Sequence, residues 1–328
     1  MTTKLAAIAI AATLSALAVS SVPAWSQEFP VRPVRLVVGF TPGGGADTTA
    51  RVFGERLADM WKQPVNVENR PGAGGAIAGE AVFRASPDGY TLLVPSNTHV
   101  ITQVVTPKIA FNFADLTPIA MVTNAPMVIA VNPSQVSARD LKEFTAMLRA
   151  SPGKYAYASC NIASTPHFGM ELYKIALGLE ATHIPHKGCA PAVADAVAGH
   201  IGIVVTVLPS AVSFIKQGRL RAIAVIDADR SPSAPDIPTL RESGMPELKD
   251  ISLQSYYGFV GPPAMATPLA QRLEADVLKV AAMPDLPRKL EAAGMDLFVL
   301  DAKRMHALIR SDLDKLARIA KAANIKAE

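Results

Sequence analysis

The residues best suited to chemistry lie near the N-terminus, where an apolar run meets a glycine-rich bend. The run from Val34 to Val38 leads into Gly39-Phe40-Thr41-Pro42-Gly43-Gly44-Gly45-Ala46-Asp47, and a helical pattern follows. A strand that stops where a helix starts leaves backbone N–H groups unpaired, and these groups attract anions together with the positive end of the helix dipole. The glycines let a ligand approach the backbone closely. The bend matches neither common glycine pattern for nucleotide phosphates, and a plain turn capped by Asp47 remains an alternative.

Residues 1–26 have the features of a secretory signal peptide. Lys4 supplies a positive start, Leu5 to Val19 form an apolar stretch, and Ala24-Trp25-Ser26 offers a small-residue cleavage site before Gln27. The apolar stretch is shorter than the roughly 20 residues that span a bilayer. We therefore expect an exported, periplasmic protein with a mature chain of about 300 residues, which is more than one core usually holds and so predicts two domains.

The chain contains two cysteines, Cys160 and Cys189, and six histidines. Two thiols within reach tend to form a disulfide in an oxidising compartment, and a bridge closing a loop of about 30 residues contributes on the order of 3 kcal/mol. Two separate buried thiols are the alternative. The histidines are scattered and no C-x-x-C or H-E-x-x-H spacing occurs, so we predict neither a metal site nor a cofactor.

The charge pattern argues against nucleic acid as a partner. The formal net charge is +4, and it falls to +3 when residues 1–26, with one lysine and no acid, are removed. Basic and acidic residues are interleaved along predicted helices, as in Arg51, Glu55, Arg56 and Asp59. Dense basic stripes are therefore missing, and a solvated helix face is the default interpretation.

Strands alternate with helices of about 10–15 residues along the chain, a pattern typical of parallel α/β sheets. After the first strand, we predict strands at 65–69, 91–94, 127–131, 155–158, 182–185, 201–207, 220–226 and 256–260. In such sheets ligands bind at the carboxyl ends of the strands. Two segments, 123–127 and 251–256, are candidate crossings between domains. We therefore predict domain 1 at 27–125 plus 254–328 and domain 2 at 126–253, with a hinged cleft between them.

Several segments together resemble the periplasmic solute-binding receptors of the tripartite tricarboxylate transporter family, the Bug or TctC-like proteins. The matching segments are Pro33–Phe40, Pro42–Asp47, Val67–Gly75, Pro87–Leu93, His186–Ala192 and Gly218–Ala222. The resemblance implies a type II periplasmic binding protein, with two α/β lobes of parallel-rich sheets joined by two crossover strands. It also implies a monomeric binding protein without catalysis, which closes on a small organic carboxylate and delivers it to a membrane permease.

The resemblance places the ligand-binding residues in loops of both lobes. In the first lobe they are Phe40, Thr41, Pro42, Gly43, Gly44, Gly45, Ala46, Asp47, Ser96, Asn97 and Thr98. In the second lobe they are Ser159, Asn161, Ser164, Thr165, His186, Lys187, Gly188 and Thr206. One of Tyr256 and Tyr257, on the second crossing strand, is expected to wall the cleft.

Two departures from the family pattern bear on the ligand. His186 stands where the family usually has tyrosine, and Val205-Thr206 replaces a usual Phe-Asp pair. Loss of a carboxylate that faces the cleft removes a partner for an amino group, so the sequence favours a di- or polycarboxylate, aliphatic or aromatic, or a carboxylate with a polar far end, over an amino acid. Asp47 is better suited to cap a helix than to contact an anion, and Lys187 is either solvated or in the cleft.

Two other functions remain open. A sensory receptor that presents its ligand to a membrane kinase would use the same two lobes. A periplasmic hydrolase is the alternative from another class, since Ser159 near His186 could act as nucleophile and base. No G-x-S-x-G segment supports a hydrolase.

Overall fold

The computed structural model of the protein describes residues 29–106, 109, 111–323 and 325. The expected signal peptide lies outside these residues. The strands are β1 (Val34–Val38), β2 (Val65–Asn69), β3 (Thr91–Val94), β4 (Thr117–Ala125), β5 (Met127–Val131), β6 (Ala156–Ser159), β7 (Thr182–Pro185), β8 (Ile203–Val207), β9 (Arg221–Val225), β10 (Ser255–Gly261) and β11 (Asp296–Asp301). None of the helices within the described ranges is long and apolar enough to cross a membrane.

Ten α-helices accompany these strands in the described ranges. They are α1 (Gly45–Trp61), α2 (Ala76–Phe83), α3 (Asn97–Val105), α4 (Leu141–Ala150), α5 (Thr165–Leu177), α6 (Cys189–Ala198), α7 (Leu208–Lys216), α8 (Thr267–Ala281), α9 (Leu286–Ala292) and α10 (Ala302–Ala322). Short 3₁₀ turns lie at Ala73–Gly75, Phe113–Asp115, Arg241–Ser243 and Pro246–Leu248.

The strands form two sheets, one in each lobe. The first has the order β11-β4-β10-β3-β1-β2 and the second the order β7-β6-β8-β5-β9. Both sheets are mixed. Pairing is parallel within β1–β3 and between β6 and its neighbours β7 and β8, whereas β4, β5, β10 and β11 pair antiparallel. The expected two-lobed α/β architecture is confirmed, and antiparallel strands are added where the chain changes lobe.

The chain passes between the sheets twice. Only Pro126 separates β4 from β5, and since proline has no N–H group it interrupts a ladder that would otherwise continue. Its carbonyl accepts a hydrogen bond from Leu208 N at 2.9 Å, at the start of α7. The return passage lies between β9 and β10, where Asn124 Nδ2 on β4 donates to Gln254 Oε1 at 3.3 Å. Both crossings therefore lie together, as a hinge requires.

Helix α3 and strand β11 were not expected from the sequence. The segment of α3 contains Thr98, Val100, Ile101, Thr102, Val104 and Val105, and β-branched residues have low helix propensity. Tertiary packing outweighs that propensity: α3 packs along α10, and Val100 and Ile101 are fully buried. The loop predicted around Ser96 is therefore the start of a helix.

Candidate functional site

Five helices begin at one cavity between the lobes. Their N-cap residues, Gly44, Ser96, Ser164, Gly188 and Val207, precede α1, α3, α5, α6 and α7, and all five line the cavity. The remaining lining residues are Phe40, Thr41, Gly45, Ala46, Thr98, Cys160, Asn161, Pro166, Cys189, Ser255 and Tyr257. No charged side chain is among them. The positive ends of five helix dipoles therefore meet in a space suited to an anion. We call this space the inner cavity.

The first turn of α1 presents free amides to the inner cavity. The first backbone bond along this helix runs from Thr48 N to Gly44 O at 2.9 Å, and Gly44 has no side chain to cap the turn. The N–H groups of Gly45 and Ala46 therefore have no partner within the helix. Both residues line the inner cavity, so their amides are available to an acidic ligand.

Asp47 is not the N-cap that the sequence predicted, because α1 begins two residues earlier. Its carboxylate accepts from Gly43 N at 3.0 Å, from Arg51 Nε at 2.9 Å and from Asn69 Nδ2 at 3.0 Å. Burial raises the pKa of Asp47, but the hydrogen bonds from these three partners outweigh burial and lower it below its usual value. Asp47 is absent from the cavity lining, and its role is to fold the glycine bend back onto α1.

Ser96, the N-cap of α3, also lines the inner cavity. The residue is buried and caps α3 in a capping box with His99, which uses Ser96 Oγ as an acceptor and leaves its O–H group as a donor. Its backbone N–H donates to Nδ1 of His99 at 3.2 Å. Burial lowers the pKa of His99 to about 4, so the ring stays neutral near pH 7 and Nδ1 remains an acceptor. His99 thereby holds the Ser96 backbone while the O–H group remains a donor for a ligand.

Tyr257 forms the wall of the inner cavity on the crossover strand β10, while Tyr256 points away. The hydroxyl of Tyr256 donates to Asp312 Oδ2 at 2.6 Å. Burial raises the pKa of Tyr257 to about 12, so the phenol is neutral at physiological pH. A neutral hydroxyl can donate to a carboxylate, whereas a phenolate would repel it.

A disulfide joins the two loops that the second lobe contributes. Cys160 follows β6, Cys189 is the first residue of α6, and the two are bonded. Gly188 N also donates to Cys160 O at 2.6 Å. The predicted bridge is thus confirmed over the alternative of two free thiols. Both cysteines line the inner cavity, so the bridge fixes the position of the α6 N-terminus relative to Asn161.

Buried hydrogen bonds hold the two lobes together beside the inner cavity. Thr165 Oγ1 on α5 donates to Asn97 Oδ1 at 2.8 Å and lies 3.1 Å from Thr98 Oγ1. Asn97 Nδ2 donates in turn to Gln254 O, on the crossover segment, at 2.7 Å. Asn97 and Thr165 are absent from the cavity lining. Their observed contacts are between lobes.

The comparison with known families agrees with this arrangement. Residues 49–325 match the model of the tripartite tricarboxylate transporter family receptor, TctC. The chain belongs to this receptor family. The protein is therefore a periplasmic solute-binding receptor and not an enzyme.

Individual relatives cover most of the receptor. BugT of Bordetella pertussis is 36% identical over 251 residues, 76% of each chain. The R. palustris protein Rpa4515, solved with adipate, has 27% identity and a TM-score of 0.86, covering 91% of this chain and 99% of its own. MatC from Rhodopseudomonas palustris, solved with malate, has 28% identity and a TM-score of 0.79, covering 89% and 99%.

Several residues predicted for the site lie outside the inner cavity of the receptor. Thr206 is buried with its hydroxyl 3.7 Å from Cys160 Sγ, and Pro42 and Gly43 lie in the exposed bend. His186 Nε2 pairs with Asp195 Oδ2 at 2.8 Å. His186 and Lys187 instead line a neighbouring space, described below.

Ser159 and His186 do not form the nucleophile and base considered above. Ser159 Oγ lies 2.7 Å from Nε2 of His183, and Ser159 is fully buried. Burial and the neighbouring His167 lower the pKa of His183 to about 3. Because the serine hydroxyl does not reach the inner cavity, this pair supports the packing of the second lobe.

The sequence did not identify five residues of the cavity wall: Cys160, Pro166, Cys189, Val207 and Ser255. A signal existed for two of them. Pro166 lies in the first turn of a predicted helix, and Val207 ends a predicted strand directly before another helix. Those are the positions where a parallel α/β lobe binds its ligands.

Proposed function

We propose that this receptor captures a small organic dicarboxylate in the periplasm and delivers it to the permease of a tripartite tricarboxylate transporter. The observation that carries the proposal is the meeting of five helix N-termini at one cavity, with no charged side chain among the described residues that line it. Backbone amides and hydroxyl groups replace the water around a carboxylate. The two relatives solved with adipate and with malate both carry dicarboxylates, which supports the same ligand class here.

The proposal assigns one carboxylate to the inner cavity. Its donors are the amides of Gly45 and Ala46 in the first lobe and the hydroxyl groups of Ser96, Thr98 and Tyr257. The second lobe adds the amide at the start of α6 and Ser164 with Asn161. The absence of an acidic lining residue in the described part of the chain leaves an amino group without a partner, which favours a dicarboxylate over an amino acid.

The proposal also includes the division of the chain into two lobes and its oligomeric state. The lobes comprise 27–125 with 254–328, and 126–253, and residues 1–26 direct export before they are removed. The receptor acts as a monomer that opens and closes about the two crossings. Hydrogen bonds between the lobes, such as Thr165 Oγ1 to Asn97 Oδ1, support closure as the ligand-bound state.

A thermal-unfolding screen tests the proposed function. Mono-, di- and tricarboxylates, aliphatic and aromatic, are compared with amino acids and with uncharged diamides of the same length. A dicarboxylate at about 100 times its Kd should raise the free energy of unfolding by roughly 2.7 kcal/mol. The diamides, which have the same shape without the charge, should cause no shift. If no organic acid raises Tm, the proposed function is wrong.

A further inference from the structure

The inner cavity is too small to hold a whole dicarboxylate. It offers about 30 Å³ of space to the centre of a water molecule, and a single water needs roughly 10–15 Å³ on this measure. The cavity therefore has room for about two waters, which is close to the size of one carboxylate group. The remainder of a ligand must lie elsewhere.

A second space begins where the inner cavity ends. It is lined by residues 39–41 and 71–74 of the first lobe and by Asn161 and residues 186–188 of the second, and we call it the outer chamber. The outer chamber offers about 480 Å³ to the centre of a water molecule, compared with about 30 Å³ in the inner cavity. Phe40, Thr41, Asn161 and Gly188 line both spaces, so a chain that leaves the inner cavity passes between these residues.

The passage is narrow because the two lobes meet there. A Cβ atom on Gly188 would lie 2.2 Å from Thr41 Oγ1, and the φ of Gly188 is +132°. Only glycine permits both this conformation and this close approach. An extended aliphatic segment suits such a passage better than a branched or bulky one.

The outer chamber has one unpaired cation. Lys187 is exposed, and its ammonium group takes part in no hydrogen bond or salt bridge within the described residues. The other basic group, His186, is held by Asp195 at 2.8 Å. No acidic side chain lines the outer chamber in the described ranges. Glu80 lies in the wider opening beyond it and is paired with Arg84 at 2.6 Å.

We infer that the receptor selects an extended dicarboxylate whose second acid group reaches the outer chamber and is recognised by Lys187. This inference rests on the proposed function. It adds the length of the ligand and the residue that binds its second carboxylate. The first carboxylate lies at the five helix N-termini, and the carbon chain runs past Thr41 and Gly188. Lys187 then determines the preference for two acid groups over one.

Calorimetric titration of four acids tests the inference. Adipate has the expected length, malonate is a short dicarboxylate, and hexanoate matches adipate without the second acid. The wild-type receptor should bind adipate more tightly than malonate. Lys187→Met should weaken adipate by about three- to fivefold, the effect of losing a partly exposed ion pair, and should leave hexanoate unchanged. Terephthalate, an aromatic dicarboxylate, should bind more weakly than adipate because its ring does not fit the passage.

The matched control is Lys142→Met, which removes an exposed lysine from α4 in the same lobe. It should leave adipate affinity unchanged, which separates a local contact from a loss of net charge. Equal weakening of adipate and hexanoate by Lys187→Met, or no weakening of either, would overturn the inference. So would malonate binding as tightly as adipate, although the proposed function would survive that result. Failure of every acid to bind would overturn both.

Discussion

Gly45, the first residue of α1, lies directly against the ring of Tyr257 on β10. A Cβ atom on Gly45 would come within 2.3 Å of the tyrosine Cζ and 2.4 Å of its hydroxyl oxygen. The chain between them is more than 200 residues long, yet the contact joins the free amides of the helix to the wall of the inner cavity. Glycine is required here by the neighbouring ring and not by the backbone conformation.

Gly45→Ala is therefore expected to displace the Tyr257 ring, weaken carboxylate binding at least tenfold and lower the free energy of unfolding by about 1–3 kcal/mol, as overpacking does. Gly54→Ala in the same helix is the matched control, since its Cβ would meet the nearest atoms at an ordinary 3.4 Å and the residue is absent from the cavity lining. Calorimetric titration with adipate and urea unfolding measure both effects. The same losses in Gly54→Ala would contradict the account.

Ser96→Ala should weaken binding more than folding. The hydroxyl that it removes caps the first turn of α3 in a capping box with His99 and lines the inner cavity. Loss of the cap should lower the free energy of unfolding without ligand by no more than about 1 kcal/mol. Affinity for adipate should fall about tenfold, because the carboxylate loses a donor. A larger loss of stability with unchanged affinity would show that Ser96 supports the fold and not the ligand.

The alternation of strands and helices was sufficient to predict the two-lobed fold and the glycine bend between β1 and α1. The roles of individual side chains were harder to predict, because they depend on the register in which neighbouring strands pair. Tyr157 pairs with His183 and Ser159 with Pro185 across β6 and β7. Since alternate residues share a face, His183 and not His186 lies diagonally beside Ser159. A shift of one residue, invisible in a single sequence, would have reversed this assignment.

Helix boundaries limited the prediction in a second way. Asp47 has the residue type of an N-cap, but Gly44 takes that position because the glycine bend turns earlier. The polar residues Asn97 and Thr98 resemble a loop, yet they form the first turn of α3, where their side chains bond to Thr165 and Gln254 and the rest of the helix packs along α10. In both cases long-range packing determines the boundary, and local residue preferences do not contain that information.

Thr165→Val tests whether closure of the lobes contributes to affinity. Valine keeps the shape of threonine but leaves Asn97 Oδ1, which is fully buried, without its donor at 2.8 Å. The closed form should be destabilised by about 1–3 kcal/mol, so affinity for adipate should fall roughly five- to a hundredfold although Thr165 does not line the inner cavity. Small-angle scattering should show a larger radius of gyration at equal ligand concentration. The control, Thr182→Val on the exposed strand β7, should behave as wild type.

The stability of the receptor should fall in mild acid, because burial lowers the pKa of three histidines, His99, His167 and His183, to about 4, 4 and 3. For His99, the pKa in the folded protein lies below the ordinary value of 6.5, so the unfolded chain binds the proton more readily. The contribution of His99, on the order of 3 kcal/mol, is complete above pH 6.5 and is lost as the pH falls towards 4. His99→Asn should reduce the slope of unfolding free energy between pH 6.5 and 4.5 in urea titrations without abolishing it, since His167 and His183 still take up protons on unfolding. The control His200→Asn removes a side chain that is 73% exposed and should keep the wild-type slope. A wild-type curve already flat over this range would show that His99 is not protonated on unfolding, and the role given to its neutral ring beside Ser96 would fall with it.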